Sequence, residues 1–174
     1  MHSIYISTFG LLFLGTPHDG STKAGLASYT RRIMDAMVPS KICDSDGQLL
    51  DALKPGSEAL KNITDMFVPL MKNFRIYFFW EQEKTDLRAT NDYIVTESSA
   101  APILDGTERC GLPYDHRNMC RFENVTSPGY RVVVAALMRY SEEAVPVVMQ
   151  RWEDTDLLLR SMRENEAAEL LRET

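Results

Sequence analysis

Two short apolar runs in this chain predict buried strands. Phe9 to Gly15 (FGLLFLG) is continuously apolar and is closed by Gly-Thr-Pro, which indicates a strand buried on both faces of a parallel sheet. Phe74 to Trp80 (FRIYFFW) is rich in aromatic and β-branched residues and contains no breaker, so it predicts the strongest strand of the chain. We predict weaker extended segments at Tyr93 to Thr96 and at Arg109 to Leu112.

Apolar residues at helical spacing occupy much of the remaining sequence. They predict three helices between the two strong strands, beginning near Thr22, Asp46 and Leu60. Ser127-Pro128 supplies a cap residue followed by proline at the first helical position, and Pro146 is expected to interrupt the helix that starts there. Strands that alternate with helices predict an α/β fold with a mostly parallel sheet.

Composition and charge exclude several classes of function. The chain has 174 residues and a net charge of -6, and its Lys and Arg residues are scattered, which argues against a general nucleic-acid binder and against docking on anionic membranes. We expect no transmembrane segment, because the longest apolar run is far too short. Three cysteines without paired spacing fit a reducing, intracellular setting, and we expect the chain to be cytoplasmic.

Two polar residues stand where an α/β sheet places its chemistry, in the segments that follow strands. Glu81 follows the Phe74 to Trp80 run, and His116 lies later in the polar loop Tyr114 to Phe122 (YDHRNMCRF). Acid followed by histidine is the order of the last two members of the triad in α/β-hydrolases. On the pattern alone, each residue is also typical of an inert, solvated loop position. His116 and Cys120 are four residues apart, but one such pair supplies too few ligands for a zinc site, so we expect no metal.

Three segments in order, FGLLFLGTPHDGS, FFWEQEKT and DHRNMCRF, resemble the carboxyl-terminal half of a known enzyme group. The group is the SERAC1-like and DUF676-like lipases and esterases of the α/β-hydrolase superfamily, whose fungal members often stand at the amino terminus of NACHT or repeat-containing proteins. The resemblance covers roughly Ser7 to Leu137. It implies an α/β-hydrolase fold, acyl-ester or lipid substrates and no cofactor.

The resemblance also implies roles for individual residues. It places the catalytic histidine on His116 and the triad acid on Glu81, with Glu83 and Asp86 as close rivals. The residues it places at the rim of the active site form the loop after the first strand: Gly15, Thr16, Pro17 and His18. For His18 we favour a simpler reading, in which a loop histidine is bonded to nearby backbone.

The sequence departs from the group at the nucleophile, because no Gly-x-Ser-x-Gly elbow occurs in the chain. We therefore expect residues 1–150 to be a partial α/β-hydrolase domain that lacks its amino-terminal half, whether truncated, a fragment or degenerate. Residues 151–174 are expected to form a charged helical tail or linker. The chain by itself is expected to be inactive, with Cys120 as the one alternative nucleophile to exclude. The competing hypothesis is a non-catalytic interaction module of a NACHT-type or signalling protein, with a protein as its partner.

Overall fold

A computed structural model describes residues 2–18, 32, 66–87 and 90–172 of the chain. Residues 66–71 are helical and coincide with the end of the third predicted helix, whereas the helices predicted near Thr22 and Asp46 lie outside the described residues. The elements, in chain order, are α1 (His2–Ser7), β1 (Gly10–Leu14), β2 (Arg75–Glu81), β3 (Thr85–Leu87), β4 (Thr90–Asp92), α2 (Glu97–Ala100), β5 (Thr107–Leu112) and α3 (Pro128–Arg172).

The centre of the fold is a parallel sheet with the strand order β1-β2-β5. Leu12 of β1 lies opposite Tyr77 of β2, and Tyr77 in turn lies opposite Glu108 of β5. This arrangement confirms that the two strong apolar runs are parallel neighbours, and β5 confirms the short strand predicted at Arg109 to Leu112. The described part of the chain is thus α/β with a small parallel sheet.

Both faces of the sheet are covered, as the continuous apolar pattern of its strands requires. On one face, Phe79 packs with Leu112, Met119 and Val133, so that α3 closes this side. On the other face, Ile76, Phe78 and Ala101 form a second cluster, and partly buried apolar side chains from residues 13, 71, 74 and 80 pack against it. Because successive side chains of a strand alternate between faces, Glu81 belongs to the same side as Phe79.

A small antiparallel hairpin of β3 and β4 follows the central strand and was not predicted. The segment Tyr93 to Thr96, predicted as a weak strand or extended piece, is not a strand: β4 ends at Asp92, and the chain bends at residues 94 and 95. Ile94 and Val95 are fully buried in a third apolar cluster beside the hairpin.

Helix α3 begins at Pro128, as the Ser127-Pro128 pair predicts, but it does not break at Pro146. Proline removes one backbone hydrogen bond, and this cost is outweighed here by contacts farther along the helix. Arg151 donates to the carbonyl oxygens of Thr8, at 2.7 Å, and of Asn73. Residues 151–172, expected to form a charged helical tail or linker, are helical and continue α3. In the described ranges, no helix is long and apolar enough to cross a membrane.

Candidate active site

The three parallel strands end at one edge of the sheet, and the candidate residues meet there. Glu81 is the last residue of β2, and it was expected just after the strand. Gly15 follows β1 directly, and its N–H donates to the carbonyl of Phe79 at 2.9 Å. His116 lies in the loop that follows β5. The carboxyl edge of such a sheet is where α/β proteins place their binding and catalytic groups.

Glu81 is a buried carboxylate that is held in place by the backbone. It is 2 % exposed, and its Oε1 accepts the N–H of Val95 at 2.6 Å. A hydrogen bond from a backbone amide to a carboxylate is stronger than one between neutral groups, and it offsets part of the cost of burial. The rival acids Glu83 and Asp86 are both exposed.

The loop that carries His116 is a compact turn. Asp115 accepts the N–H of Asn118 on its side chain, at 2.9 Å, and the N–H of Met119 on its carbonyl, at 3.0 Å. The N–H of His116 donates to the hydroxyl of Thr85, at 3.2 Å. These bonds give the loop a defined backbone, which is a requirement for a side chain that must be oriented.

The structure brings Glu81 and His116 together. His116 Nδ1 lies 3.5 Å from Glu81 Oε1, and their side chains are 12 % and 0 % exposed. This separation is longer than a normal hydrogen bond, and Nδ1 and Glu81 Oε2 have no hydrogen-bond partner among the described residues. Catalytic hydrogen bonds are often long in the absence of a substrate. Of the two ring nitrogens, Nδ1 is the one that faces the carboxylate of Glu81.

Gly15 provides the space in which the His116 ring lies. Its φ is 61°, a left-handed conformation that side chains other than glycine's rarely adopt. A Cβ at this position would lie 2.7 Å from Met119 Sδ and 3.0 Å from His116 Nδ1 and Cε1. Gly15 was expected only at the rim of the site, whereas the structure places it directly against the imidazole.

The other rim residues stand elsewhere in the loop. The ring of His18 packs edge-on against Phe13 and Phe78, with 4.8 Å between ring centroids in each pair, on the sheet face opposite to Phe79. The backbone N–H of His18 donates to the carbonyl of Ser99 at 2.9 Å, and the role of the imidazole stays a prediction. Thr16 and Pro17 are half-buried between Gly15 and His18.

Cys120 lies at the end of the same turn as His116, and its environment opposes nucleophilic chemistry. The residue is exposed, but partial burial of its sulfur raises the pKa of the thiol above its ordinary value. A raised pKa lowers the fraction of thiolate at neutral pH, and the thiolate is the reactive form. Cys110 is half-buried in β5, and Cys43 lies outside the described residues.

A groove of about 980 Å³ opens beside Trp80, Tyr93 and Ile103, and Glu81 is part of its wall while His116 is not. The cation in this groove is already engaged. Arg109 donates to the carbonyl of Ala101 at 2.7 Å, pairs with Glu97 at 3.2 Å, and stacks over the Trp80 ring. The guanidinium is therefore already engaged by these groups, and of the Glu81–His116 pair only Glu81 borders the groove.

Two contributors to the site were missed by sequence analysis, namely Thr85 and the backbone of Val95. A lone threonine in a polar segment has no distinctive pattern, and a backbone N–H is present in almost every residue. Their only distinguishing feature in the sequence is that both lie shortly after Glu81, the predicted acid.

Comparison of the chain with the models of known protein families, with curated proteins and with solved structures found no match.

Proposed function

We propose that this chain carries the acid and the base of a serine-type acyl-ester hydrolase, on part of an α/β-hydrolase fold. The observation that carries the proposal is the approach of Glu81 Oε1 to His116 Nδ1, 3.5 Å apart, where adjacent parallel strands end. The order of acid and histidine along the chain supports it. So does the resemblance of the Gly-Thr-Pro-His and His-Arg-Asn-Met-Cys segments to esterases and lipases.

The arrangement suits one chemical task. Neutral imidazole with its proton on Nδ1, facing the carboxylate, presents Nε2 as the base that removes a proton from a hydroxyl. The buried carboxylate of Glu81 then stabilises the imidazolium that forms, while the Val95 N–H keeps it oriented. The substrate class that such a pair serves is an acyl ester, and the transfer needs no metal or organic cofactor.

The nucleophile is the missing part. The sequence contains no Gly-x-Ser-x-Gly elbow, and the serines at positions 21 and 57, which follow a glycine, lie outside the described residues. In the described part of the chain, Ser99 is fully buried, and the adjacent Ser98 lies within the short helix Glu97–Ala100, without flanking glycines. A base without a nucleophile and an oxyanion hole gives only residual catalysis. We therefore propose that this chain by itself is not an efficient esterase.

Activity-based labelling tests this proposal. We expect no labelling of the isolated chain by a fluorophosphonate probe and at most trace hydrolysis of a short-chain aryl ester. The matched controls are the His116→Ala and Cys120→Ala variants. Strong labelling that disappears in His116→Ala contradicts the absence of a nucleophile, and labelling that disappears only in Cys120→Ala identifies the thiol as the reacting group.

A non-catalytic interaction module is the second candidate, and α3 is the observation that favours it. Beyond Pro146 it exposes large apolar side chains, among them Met149 at 59 % and Leu158 at 59 %. Soluble helices normally turn such side chains inward. In this case, substitutions of exposed apolar residues on α3 abolish binding of the chain to a protein partner, whereas Glu81→Met and His116→Ala leave that binding unchanged. The proposal of an acid-base pair alone predicts no loss of partner binding when α3 is changed.

A further inference from the structure

We propose that Thr85 is a positioning residue that holds His116 against Glu81. This inference rests on the proposed function, because it assigns Thr85 a role in the same acid-base pair. Thr85 is fully buried, and its hydroxyl accepts the backbone N–H of His116 at 3.2 Å. The bond spans 31 residues of sequence and links the first residue of the β3–β4 hairpin to the histidine loop.

The hairpin and the segment after it contact both members of the pair. Thr85 holds the backbone of His116, and the N–H of Val95, just past β4, donates to Glu81 Oε1 at 2.6 Å. One substructure therefore sets the distance between the imidazole and the carboxylate. Side chains that must be held within about half an ångström of a productive geometry need such supporting bonds.

The hairpin is itself rigid enough for this task. When the side-chain NH₂ of Asn91 faces the carbonyls of Lys84 and Thr85, it donates to both, at 3.2 and 3.1 Å. Leu87, Ile94 and Val95 bury their side chains together in a cluster that also packs on Trp80, next to Glu81 in the chain. Thr85 is thus held between a hydrogen-bonded hairpin and a packed core. Its hydroxyl is therefore a fixed acceptor, which restrains the backbone of His116.

A threonine that merely fills space would leave the pair intact when its hydroxyl is removed. Valine has nearly the same shape as threonine and lacks the acceptor, so Thr85→Val removes the bond to His116 without creating a cavity. Thr85→Ser keeps the hydroxyl and removes one methyl group. Thr107 gives a matched control, because its hydroxyl also bonds a nearby backbone group, the Leu104 carbonyl at 2.8 Å, but far from the pair.

The test is a measurement of the His116 ring N–H by nitrogen-resolved NMR, with global unfolding measured on the same samples. In the wild type we expect the proton on Nδ1 and slow exchange with water. In Thr85→Val we expect exchange to accelerate about fivefold to tenfold, the factor that one hydrogen bond represents. We expect Thr85→Ser to restore the wild-type exchange rate and Thr107→Val to leave it unchanged.

Each outcome separates the two proposals. A ring N–H in Thr85→Val that exchanges as in the wild type overturns the positioning role. An equal acceleration in Thr107→Val overturns it as well, because the effect would then follow general destabilisation. Absence of a protonated Nδ1 in the wild-type chain refutes the acid-base pair itself, whatever Thr85 does.

Discussion

Replacing Gly15 by alanine perturbs the candidate site through a single methyl group. The new Cβ would meet Met119 Sδ at 2.7 Å and the His116 ring at 3.0 Å. Met119 is flexible but only 1 % exposed, so its sulfur has little free space into which it can move. The substitution should therefore displace the imidazole from its place beside Glu81.

Two terms contribute to the expected loss of stability. Placing an alanine at φ 61° costs about 1–2 kcal/mol of backbone strain. Overpacking against Met119 and His116 adds about 1–3 kcal/mol. Gly106 provides the control, because its φ is 75° and a Cβ there would have no neighbour within 4 Å. Gly106→Ala should show the strain term alone, so the difference between the two variants measures crowding at the site.

The assay is urea-induced unfolding of both variants, together with the ring signals of His116. We expect Gly15→Ala to lose about 1–3 kcal/mol more than Gly106→Ala and to shift the His116 signals. In a His116→Ala background the Gly15→Ala penalty should shrink by about 1 kcal/mol, because the two positions are in contact. Equal losses at Gly15 and Gly106, with unchanged His116 signals, would refute the packing of the imidazole on Gly15.

Three further predictions concern other parts of the fold. With the other two cysteines replaced by serine, alkylation of Cys120 should be slower than that of a free thiol at the same pH, and its rate profile should be displaced to higher pH, because burial raises the pKa of Cys120. Burial and the hydrogen bond to Glu108 raise the pKa of Tyr140. The stability that the protonated Tyr140 hydroxyl contributes is therefore complete below about pH 10 and is lost as the pH rises further. Tyr140→Phe should accordingly lose less stability at alkaline pH than the wild type. Arg151→Ala should lower the free energy of unfolding by about 2 kcal/mol, because it removes the hydrogen bonds to the carbonyls of Thr8 and Asn73. Arg160 is exposed on the same helix, so Arg160→Ala should change the free energy of unfolding by less than about 0.5 kcal/mol.

Features that depend on local apolar pattern could be predicted from the sequence. The runs Phe9 to Gly15 and Phe74 to Trp80 contain enough consecutive apolar residues to indicate buried strands, and their pairing follows from the helices expected between them. The approach of Glu81 to His116 also agrees with prediction, since both follow strands that end at one edge of the sheet. Their catalytic roles stay a prediction.

Features that depend on tertiary contacts could not be predicted. The β3–β4 hairpin is short and polar, and its stability comes from packing of Leu87 on residues that follow it. Pro146 looked like a helix end, because the contacts of Arg151 with distant carbonyls are invisible in the local pattern. Thr85 gave no signal for the same reason, since its partner His116 is 31 residues away.

The pairing of Glu81 with His116 is most directly tested by the nitrogen NMR spectrum of the His116 ring. In the neutral imidazole we expect the proton on Nδ1 in the wild type, because the carboxylate oxygen lies on that side at 3.5 Å. Glu81→Met should abolish this preference, whereas Glu83→Met, which changes an exposed acid, should preserve it. A ring protonated mainly on Nε2 in the wild type, or a preference lost in Glu83→Met and kept in Glu81→Met, would contradict the assignment of Glu81 and His116 as an acid-base pair.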